Sequence, residues 1–147
     1  MIADLWLLGT VVLAGALGAI VGAERELSGK PAGLRTHLFV SAGAALLILL
    51  SDSAVQKFVE QNQQHVSADP IRVIQAIVVG ISFLGAGTII HERGQRVEGL
   101  TTAASIFITA GIGIAVATDH VVLATGTALG AVLVLWLMGR LERRIAE

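Results

Sequence analysis

The sequence predicts an all-α membrane protein, a polytopic bundle of five transmembrane helices. Hydrophobic residues make up 54% of its 147 residues and charged residues only 14%, whereas about 25% of a soluble domain is charged. The mean hydropathy is +0.80. Five apolar stretches approach the roughly 20 residues that cross a bilayer, and together they fill one transmembrane domain. The predicted spans within this domain, 1–147, are about 5–23, 33–50, 71–90, 100–118 and 121–139.

Charge and composition narrow the function classes. The formal net charge is −1, so nothing favours a nucleic-acid partner. The chain has no cysteine, which removes disulfides, thiolate nucleophiles and thiolate metal ligands together. No nucleophile, general base and orienting group stand together in the sequence, so we expect no enzymatic activity and no cofactor.

The first span, Leu5–Ala23, is a run without a charge. A cleaved signal peptide would carry a basic segment before its apolar core, but the only charged side chain before Leu5 is Asp4. We therefore expect a retained transmembrane helix, with Trp6 at its outer interface, where an amphipathic indole is favoured.

The second span is less sharply delimited, because its uncharged run, 38–50, is too short to cross a bilayer alone. It must begin nearer Pro31 or Leu34. Pro31 suits a first helical turn, where its missing N–H costs nothing. Arg35 and His37 would then lie inside the helix, near one membrane face.

The third span, Ile71–Ile90, follows a polar segment, 51–70, that is expected to be a solvated loop with room for a short interfacial helix. Asp69 is well placed to cap the helix. Arg72, at its start, can snorkel to the interface, and Gln75 lies one turn further in.

The fourth and fifth spans, Leu100–Thr118 and Val121–Gly139, are uncharged. Only Asp119 and His120 separate them. These two spans must therefore form a tight antiparallel hairpin.

The distribution of lysine and arginine predicts the orientation. Three lie in the polar stretch 24–37, two between the third and fourth spans, and three after the fifth. The opposite side holds the remaining two. Because basic residues concentrate on the cytoplasmic side, we predict an external N-terminus and a cytoplasmic C-terminus.

Small residues recur every four positions within the spans, as in Gly18 and Gly22 or the GxxxG pair Gly126 and Gly130. Such seams let helices approach closely in a membrane. Because the loops are short, we expect most of these seams to pack against other helices of the same chain. The remaining seams are available for contacts in a homo-oligomer.

A polar stretch, 24–37, joins the first two spans almost without a spacer. Glu24 at the end of one helix and Arg35 at the start of the next each oppose the local helix dipole. An uncompensated charge inside a membrane costs about 2.5–3.5 kcal/mol on insertion scales. We therefore predict that Glu24 or Glu26 forms a salt bridge with Arg35.

The side chains of this stretch divide into two groups. Arg25, Glu26 and Lys30 are expected to form a snorkelling collar that fixes the topology. The residues expected to have a functional or specificity role lie inside the span boundary, and they are Glu24, Arg35, Thr36 and His37.

His91 and Glu92 raise the possibility of zinc binding. A zinc-protease HExxH motif would need a second histidine where Gln95 stands. We predict no metal site.

Four segments resemble one known family: 18–26 (GAIVGAERE), 30–37 (KPAGLRTH), 80–87 (GISFLGAG) and 99–105 (GLTTAAS). They are similar to the MgtC/SapB family of bacterial inner-membrane proteins. The resemblance implies a five-span, multi-pass domain in the inner (cytoplasmic) membrane. It also implies links to growth at low magnesium, to survival in acidic host compartments and, in the virulence branch, to restraint of the F-type ATP synthase.

With the resemblance, the predicted sites fall into two sets. The functional polar cluster comprises Glu24, Arg25, Arg35, Thr36, His37, Thr101 and Thr102. The structural or secondary set comprises Lys30, Pro31, Gly33, Asp69, Arg72, Gln75, Gly85, Gly87 and Gly99.

Virulence-type members of the family carry a soluble C-terminal domain, whereas this sequence stops at Glu147, so we expect a short, SapB-like form. The expected function is non-enzymatic: modulation of ion homeostasis or stress adaptation, through the lipid bilayer and a membrane partner such as the F-type ATP synthase. A homo-oligomer is a further expectation. The alternative is a small ion-conducting or transporting protein.

Overall fold

The structure is a computed structural model that describes residues 2–60, 70–89 and 98–145. Its regular structure consists of five α-helices, which confirms the predicted all-helical class. The first two helices follow each other closely in sequence, and so do the last two. The segments on either side of the third helix include residues outside the described ranges, 61–69 and 90–97. The helices are α1 (Ile2–Leu27), α2 (Leu34–Glu60), α3 (Pro70–Gly87), α4 (Leu100–Ala117) and α5 (Val121–Ile145).

Four of the helices, α1, α2, α4 and α5, are long and apolar enough to cross a membrane. The remaining one, α3, is also apolar but shorter, over Ile71–Gly87. Four candidate spans are therefore established by length and composition. The assignment of α3 as a fifth span stays a prediction.

The central element is α4, which packs against each of the other four helices. The largest interface joins α1 to α2, while α3 lies against α2 and α4, and α5 lies against α1 and α4. One apolar core joins α1, α2, α4 and α5, with Val21 and Ile112 fully buried. A second joins α2, α3 and α4 around Ile77 and Ile106.

The predicted start of α2, about residue 33, was correct to within one residue, but the place of Pro31 and the end of the helix differ from the prediction. The helix begins at Leu34, so Pro31 precedes it and does not occupy its first turn. The cap comes from α1, because the Leu34 N–H donates to Glu26 Oε2 over 2.8 Å. The helix then continues to Glu60, so the first part of the predicted loop is helical. The rest, 61–69, lies outside the described residues.

The turn between α4 and α5 confirms the predicted tight hairpin. His120 N–H donates to Ala115 O and Asp119 N–H donates to Val116 O, which is the hydrogen-bond pattern of a Schellman C-cap. Asp119 adopts φ 62°, a left-handed conformation that aspartate tolerates better than most residues. Three residues, Thr118 to His120, are therefore enough to reverse the chain.

Small residues make the close helix crossings possible. A Cβ on Gly18 would lie 2.5 Å from His37 O, and one on Gly22 would lie 2.7 Å from Leu34 Cα. A Cβ on Gly113 would collide with the Ser41 carbonyl. The predicted contacts within the chain are confirmed for these seams. At Gly126 an added Cβ meets nothing within 4 Å, so this part of the α5 seam carries no such contact.

Candidate functional site

A buried ion pair stands at the end of α1. Arg25 Nε donates to Glu24 Oε2 over 2.7 Å, and Arg25 Nη2 donates to Oε1 over 3.3 Å. The Ser28 hydroxyl donates to the same Oε1 over 2.8 Å. The side chains of Arg25 and Glu24 are 5% and 11% exposed. The carboxylate is thus held by three donors in a largely water-excluded position.

The backbone after α1 explains why this pair faces inward. Lys30 N–H donates to Arg25 O and Gly29 N–H donates to Glu26 O, again a Schellman C-cap. Gly29 has φ 67°, which glycine adopts without strain. The cap stops α1 one turn after the ion pair and directs the chain toward α2.

His37, in the first turn of α2, is fully buried. Its Nδ1 lies 2.9 Å from Gly33 O, and its Nε2 lies 3.0 Å from the hydroxyl of Ser105 on α4. The ring fits because Gly18 and Gly22 of α1 leave space for the start of α2. Glu24 and Arg25 are close enough to act electrostatically on this ring.

The hydrogen bonds of His37 define what its ring can do chemically. A carbonyl only accepts, so Nδ1 carries a proton and donates to Gly33 O. In the neutral ring, Nε2 accepts from the Ser105 hydroxyl. In the protonated ring, Nε2 donates to Ser105 Oγ, and the hydroxyl donates instead to Thr102 O, 2.8 Å away. Protonation is thus coupled to rotation of one hydroxyl across the α2–α4 interface.

Further polar side chains of α2 and α4 extend this site into the bundle. Thr109 Oγ1 donates to Ser105 O over 2.8 Å. Ser41 Oγ is buried and has no hydrogen-bond partner within the described ranges. We call the whole group the polar cluster, and it comprises Glu24, Arg25, Ser28, His37, Ser41, Thr102, Ser105 and Thr109.

The polar cluster stops about halfway through the bundle. Thr109 lies nine residues into α4, about 14 Å from the start of the helix at 1.5 Å per residue. The buried side chains that follow on α4 are all apolar: Ala110, Ile112 and Val116. The last two belong to the apolar core with Val21 of α1. The cluster therefore occupies one end of the bundle, and apolar packing fills the bundle beyond it.

The predicted salt bridge to Arg35 was wrong. Glu24 pairs with Arg25, Glu26 caps Leu34, and Arg35 is exposed with no ion pair among the described residues. The physical reason is that neighbouring side chains at the end of α1 neutralise the charge locally. The predicted collar was also wrong for Arg25, which is 4% exposed, whereas Glu26 and Lys30 are exposed.

The structure brings together four of the seven predicted functional residues, Glu24, Arg25, His37 and Thr102. The others lie apart from them. Arg35 is exposed, Thr36 lines a groove between α2 and α3, and Thr101 lines one between α4 and α5. The functional role of all seven stays a prediction.

The secondary set has mainly structural positions. Gly33 O accepts from the backbone N–H and from the Nδ1–H of His37, and a Cβ on Gly33 would crowd Glu26 Oε2. Gly99 has φ 89°, and a Cβ would collide with the Thr88 carbonyl. The rest are distributed around the bundle: Gly85 is buried against α4, Lys30 and Pro31 are exposed before α2, Gly87 ends α3, and Arg72 and Gln75 are exposed on α3. Asp69 lies outside the described residues.

No group of three or more His, Asp or Glu side chains that could hold a metal ion is found in the described part of the chain. The carboxylate of Glu24 is already engaged by Arg25 and Ser28. His91 and Glu92 lie outside the described residues. The absence of a metal site and of a cofactor stays a prediction.

Sequence reasoning missed four members of the polar cluster: Ser28, Ser41, Ser105 and Thr109. A signal was present for Ser105, which ends the GLTTAAS segment. Serine and threonine are, however, common in packed membrane helices. Their convergence on His37 depends on the α1–α2–α4 crossing and not on their spacing.

The MgtC family model matches residues 11–144. The chain belongs to the MgtC family. Together with its apolar helices, this makes it a multi-pass membrane protein of a magnesium-related family.

Three relatives illustrate the membership. The chain is 40% identical to "Putative magnesium transporter YhiD" of Escherichia coli K12 over 106 residues, which cover 72% of the chain and 48% of the relative. It is 46% identical to "Protein MgtC" of Salmonella typhimurium 14028s over 99 residues, covering 67% and 37%. It is 35% identical to "Protein SapB" of Bacillus subtilis 168, covering 67% and 42%. No solved structure matches.

The chain matches less than half the length of these curated relatives. SapB is itself much longer than the matched region, so likeness to SapB does not distinguish a short form. The expected short form stays a prediction.

Proposed function

We propose that this MgtC-family chain is a non-enzymatic protein of the bacterial inner membrane that modulates magnesium homeostasis by contacting another membrane protein. The observation that carries the proposal is the polar cluster. It is buried, held by hydrogen bonds within the chain and closed by Ile112 and Val116 beyond Thr109.

A polar cluster that ends inside the bundle suits the coupling of helix movements to a partner protein better than the conduction of ions. A pore needs polar groups or water along its whole length, whereas this polar path ends at an apolar core. At one end of the bundle, the Glu26–Leu34 hydrogen bond instead connects α1 to α2, and the His37–Ser105 hydrogen bond connects α2 to α4. A partner protein that shifts the position of one of these helices on binding would therefore shift all three.

The proposed partner is the F-type ATP synthase, and the proposed conditions are low magnesium and acid. Family membership supports these proposals. The exposed basic side chains of the stretch between α1 and α2, Lys30 and Arg35, offer a surface for contact. A photo-crosslinking amino acid in place of Arg35 should capture synthase subunits in cells grown at low magnesium. If the crosslinker captured no membrane protein when placed at Arg35 or at Lys30, the proposed partner would be refuted.

The cellular test compares arginine variants in a strain that lacks the chain, grown at limiting magnesium. Arg25→Gln should abolish the growth advantage, and Arg25→Lys should retain part of it, because lysine keeps the charge but loses the planar fork. Lys57→Gln, at an exposed position of α2, should behave as the parent. Immunoblots of membranes must show equal protein. Full growth with Arg25→Gln at equal protein would contradict the proposal.

The alternative is transport of magnesium, which the printed name of YhiD favours. Purified chain in liposomes loaded with a magnesium-sensitive dye would show influx that depends on external Mg²⁺. Influx that Arg25→Gln abolishes and Lys57→Gln preserves would establish transport and displace the coupling proposal. We expect no influx above protein-free liposomes.

The proposed topology has five spans, including α3, with the N-terminus outside and the C-terminus in the cytoplasm. The positive-inside count supports it. Since the chain has no cysteine, single-cysteine labelling is direct. Lys30→Cys should be protected from an impermeant thiol reagent in intact cells, and His120→Cys should react. The reverse result would invert the topology.

A homo-oligomer is also proposed, through the exposed α5 seam at Gly126 and Gly130. Crosslinking of Gly126→Cys to itself in membranes would support it. Crosslinking no greater than for Gly9→Cys, an exposed position on α1, would contradict it.

A further inference from the structure

The first four helices form two pairs, α1–α2 and α3–α4, whose sequences match at several places. The triplet LGA stands in α1 at 17–19 and again in α3 at 84–86. The second helix of each pair begins directly after a glycine, α2 at Leu34 and α4 at Leu100. Matching positions are separated by an almost constant distance in sequence. These matches indicate an internal repeat, as in several transporters.

The packing within the two pairs repeats as well. Gly18 of α1 lies against His37, the fourth residue of α2, and a Cβ on Gly18 would lie 2.5 Å from His37 O. Gly85 of α3 lies against Ala103, the fourth residue of α4, and a Cβ on Gly85 would lie 3.4 Å from Ala103 Cβ. Both glycines belong to the matching LGA triplets. The same contact therefore joins the two helices of each pair.

An approximate two-fold axis between α2 and α4 relates the two pairs. These helices contact each other near their starts, where His37 bonds Ser105. In addition, α1 packs against α4 and α3 packs against α2, as such an axis requires. Parallel repeats in transporters are related by an axis of this kind along the membrane normal. The cleft between α2 and α3 is therefore the counterpart of the cleft between α1 and α4.

The fifth helix makes the two clefts different. It packs against α1 and α4, where Ala124 and Ala128 are fully buried in the apolar core with Val21 and Ile112. The corresponding place beside α2 and α3 is an apolar groove of about 670 Å³. Apart from α4, none of the described helices packs against both α2 and α3. The groove is thus the open counterpart of the site that α5 fills.

The walls of the groove suit a helix face that carries large apolar side chains. Small residues line both sides, Gly43 and Ala44 of α2 and Ala76 and Gly80 of α3. A Cβ added to Gly43 or Gly80 meets nothing within 4 Å, so the space beside these glycines is open. Small residues allow membrane helices to approach closely. A neighbouring helix can therefore place its side chains between α2 and α3.

The position of the groove also favours an apolar occupant. Along α2 it extends from Thr36 to Leu47, about 16 Å or three helical turns at 1.5 Å per residue. Since α2 is long and apolar enough to cross a membrane, the groove lies within the depth of the bilayer. Among the described lining residues only Arg72 is charged, and it already has an interaction within the chain. The occupant therefore need not carry a charge.

A second copy of the chain does not suit the groove. The two-fold relation places α5 and the groove on opposite sides of the bundle. A copy that inserted its α5 into the groove of the next copy would leave its own groove open for another. Such head-to-tail contacts repeat without closing into a symmetric oligomer. A helix from a different protein ends the contact after one chain.

We propose that the α2–α3 groove docks one apolar transmembrane helix of a partner membrane protein, whose large side chains pack between Gly43 and Gly80. The helix would run antiparallel to α2, as α5 runs antiparallel to α4. It would hold α3 against the bundle on its open side. This inference rests on the proposed contact with another membrane protein and gives that contact a site inside the membrane.

Photo-crosslinking in cells grown at limiting magnesium tests the site. A photo-crosslinking amino acid in place of Phe39, which lines the groove and is 72% exposed, should capture the same membrane protein as the crosslinker at Arg35. Mass spectrometry should map the crosslink to a transmembrane segment of that protein. The matched control is Phe107, which is exposed on α4 and does not line the groove. It should not capture that protein.

The crosslinking outcomes separate this inference from the proposed function. Capture of a membrane protein from Arg35 but not from Phe39 would overturn the docking site and leave the proposed function standing. Capture from neither position would overturn both. Capture of a second copy of the chain, or of lipid alone, from Phe39 would overturn the proposed occupant.

Groove-filling variants test the packing. Leucine at Gly43 or Gly80 enters the groove without a backbone clash, because both positions are open. Either Gly43→Leu or Gly80→Leu should lower capture from Phe39 by about ten-fold through overpacking. Gly111→Leu, equally open and outside the groove, should leave it unchanged. Immunoblots and circular dichroism check the amount and helical content of each variant. Undiminished capture in either folded groove variant would overturn the proposal.

Discussion

His37 Nε2 lies 3.0 Å from the Ser105 hydroxyl, across the interface between α2 and α4. The other ring nitrogen is bonded to Gly33 O, so the imidazole is held at both ends. The two side chains are 68 residues apart in sequence. This contact joins the start of α2 to the central helix, α4.

Ser105→Ala should destabilise the protein by about 1–3 kcal/mol, because His37 Nε2 would be left buried without a partner. Ser82→Ala is the matched control, since Ser82 is exposed and bonds only its own helix at Val78 O. The control should change the free energy of unfolding by less than about 0.5 kcal/mol. Denaturation in detergent micelles measures both. Equal effects would show that the His37 contact contributes nothing.

Arg25→Gln should cost about 3–5 kcal/mol of stability, because Glu24 would be left as an uncompensated, largely buried charge. Arg35→Gln removes the same group from an exposed position and should cost under about 0.5 kcal/mol. The double variant Glu24→Gln/Arg25→Gln should recover part of the loss. Thermal unfolding of the four proteins provides the comparison, and a large loss confined to Arg35→Gln would reverse the assignment.

Gly18→Ala should lower the melting temperature strongly or prevent folding, because its Cβ would lie 2.5 Å from His37 O and 2.6 Å from Ser41 Cβ. Overpacking of this kind typically costs about 1–3 kcal/mol. Gly126→Ala, with nothing within 4 Å, should be neutral or stabilise by up to about 1 kcal/mol through helix propensity. Similar melting temperatures for the two variants would show that α1 and α2 are less closely packed.

Ser41→Ala should leave stability unchanged or raise it by about 1 kcal/mol, since the Ser41 hydroxyl is buried without a partner. Its neighbour in the cluster, Thr109, donates to Ser105 O, and Thr109→Ala should destabilise. Unfolding measured side by side tests the contrast. A marked loss of stability with Ser41→Ala would mean that the hydroxyl binds a group of its own, and growth at limiting magnesium would then show whether that group matters.

Helix positions were largely predictable from sequence because a bilayer requires long apolar runs. The boundaries were less so. Glu26, eight residues before Leu34, caps α2, and no local pattern near Leu34 indicates it. Likewise, α2 continues through Asp52 and Lys57 to Glu60, because a helix can extend past the apolar run that starts it.

The partner of each charge was not predictable. Helix dipoles correctly marked Glu24 as a charge that needs compensation, but Arg25 and Arg35 were equally available to it in sequence. Side-chain direction decides between them: Arg25 points into the bundle and Arg35 outward. That direction depends on how α1 rotates against α2, which Gly18 and Gly22 determine by close contact.

By itself, the sequence determined the helical class, the apolar spans, the tight α4–α5 hairpin and the concentration of charge at 24–37, since each follows from local composition and spacing. Only the tertiary structure decided that Glu24 pairs with Arg25, that His37 bonds Ser105, and that α2 and α3 leave a groove ending at Arg72. The physical reason is that these depend on helix rotation and crossing, which packing between distant segments determines.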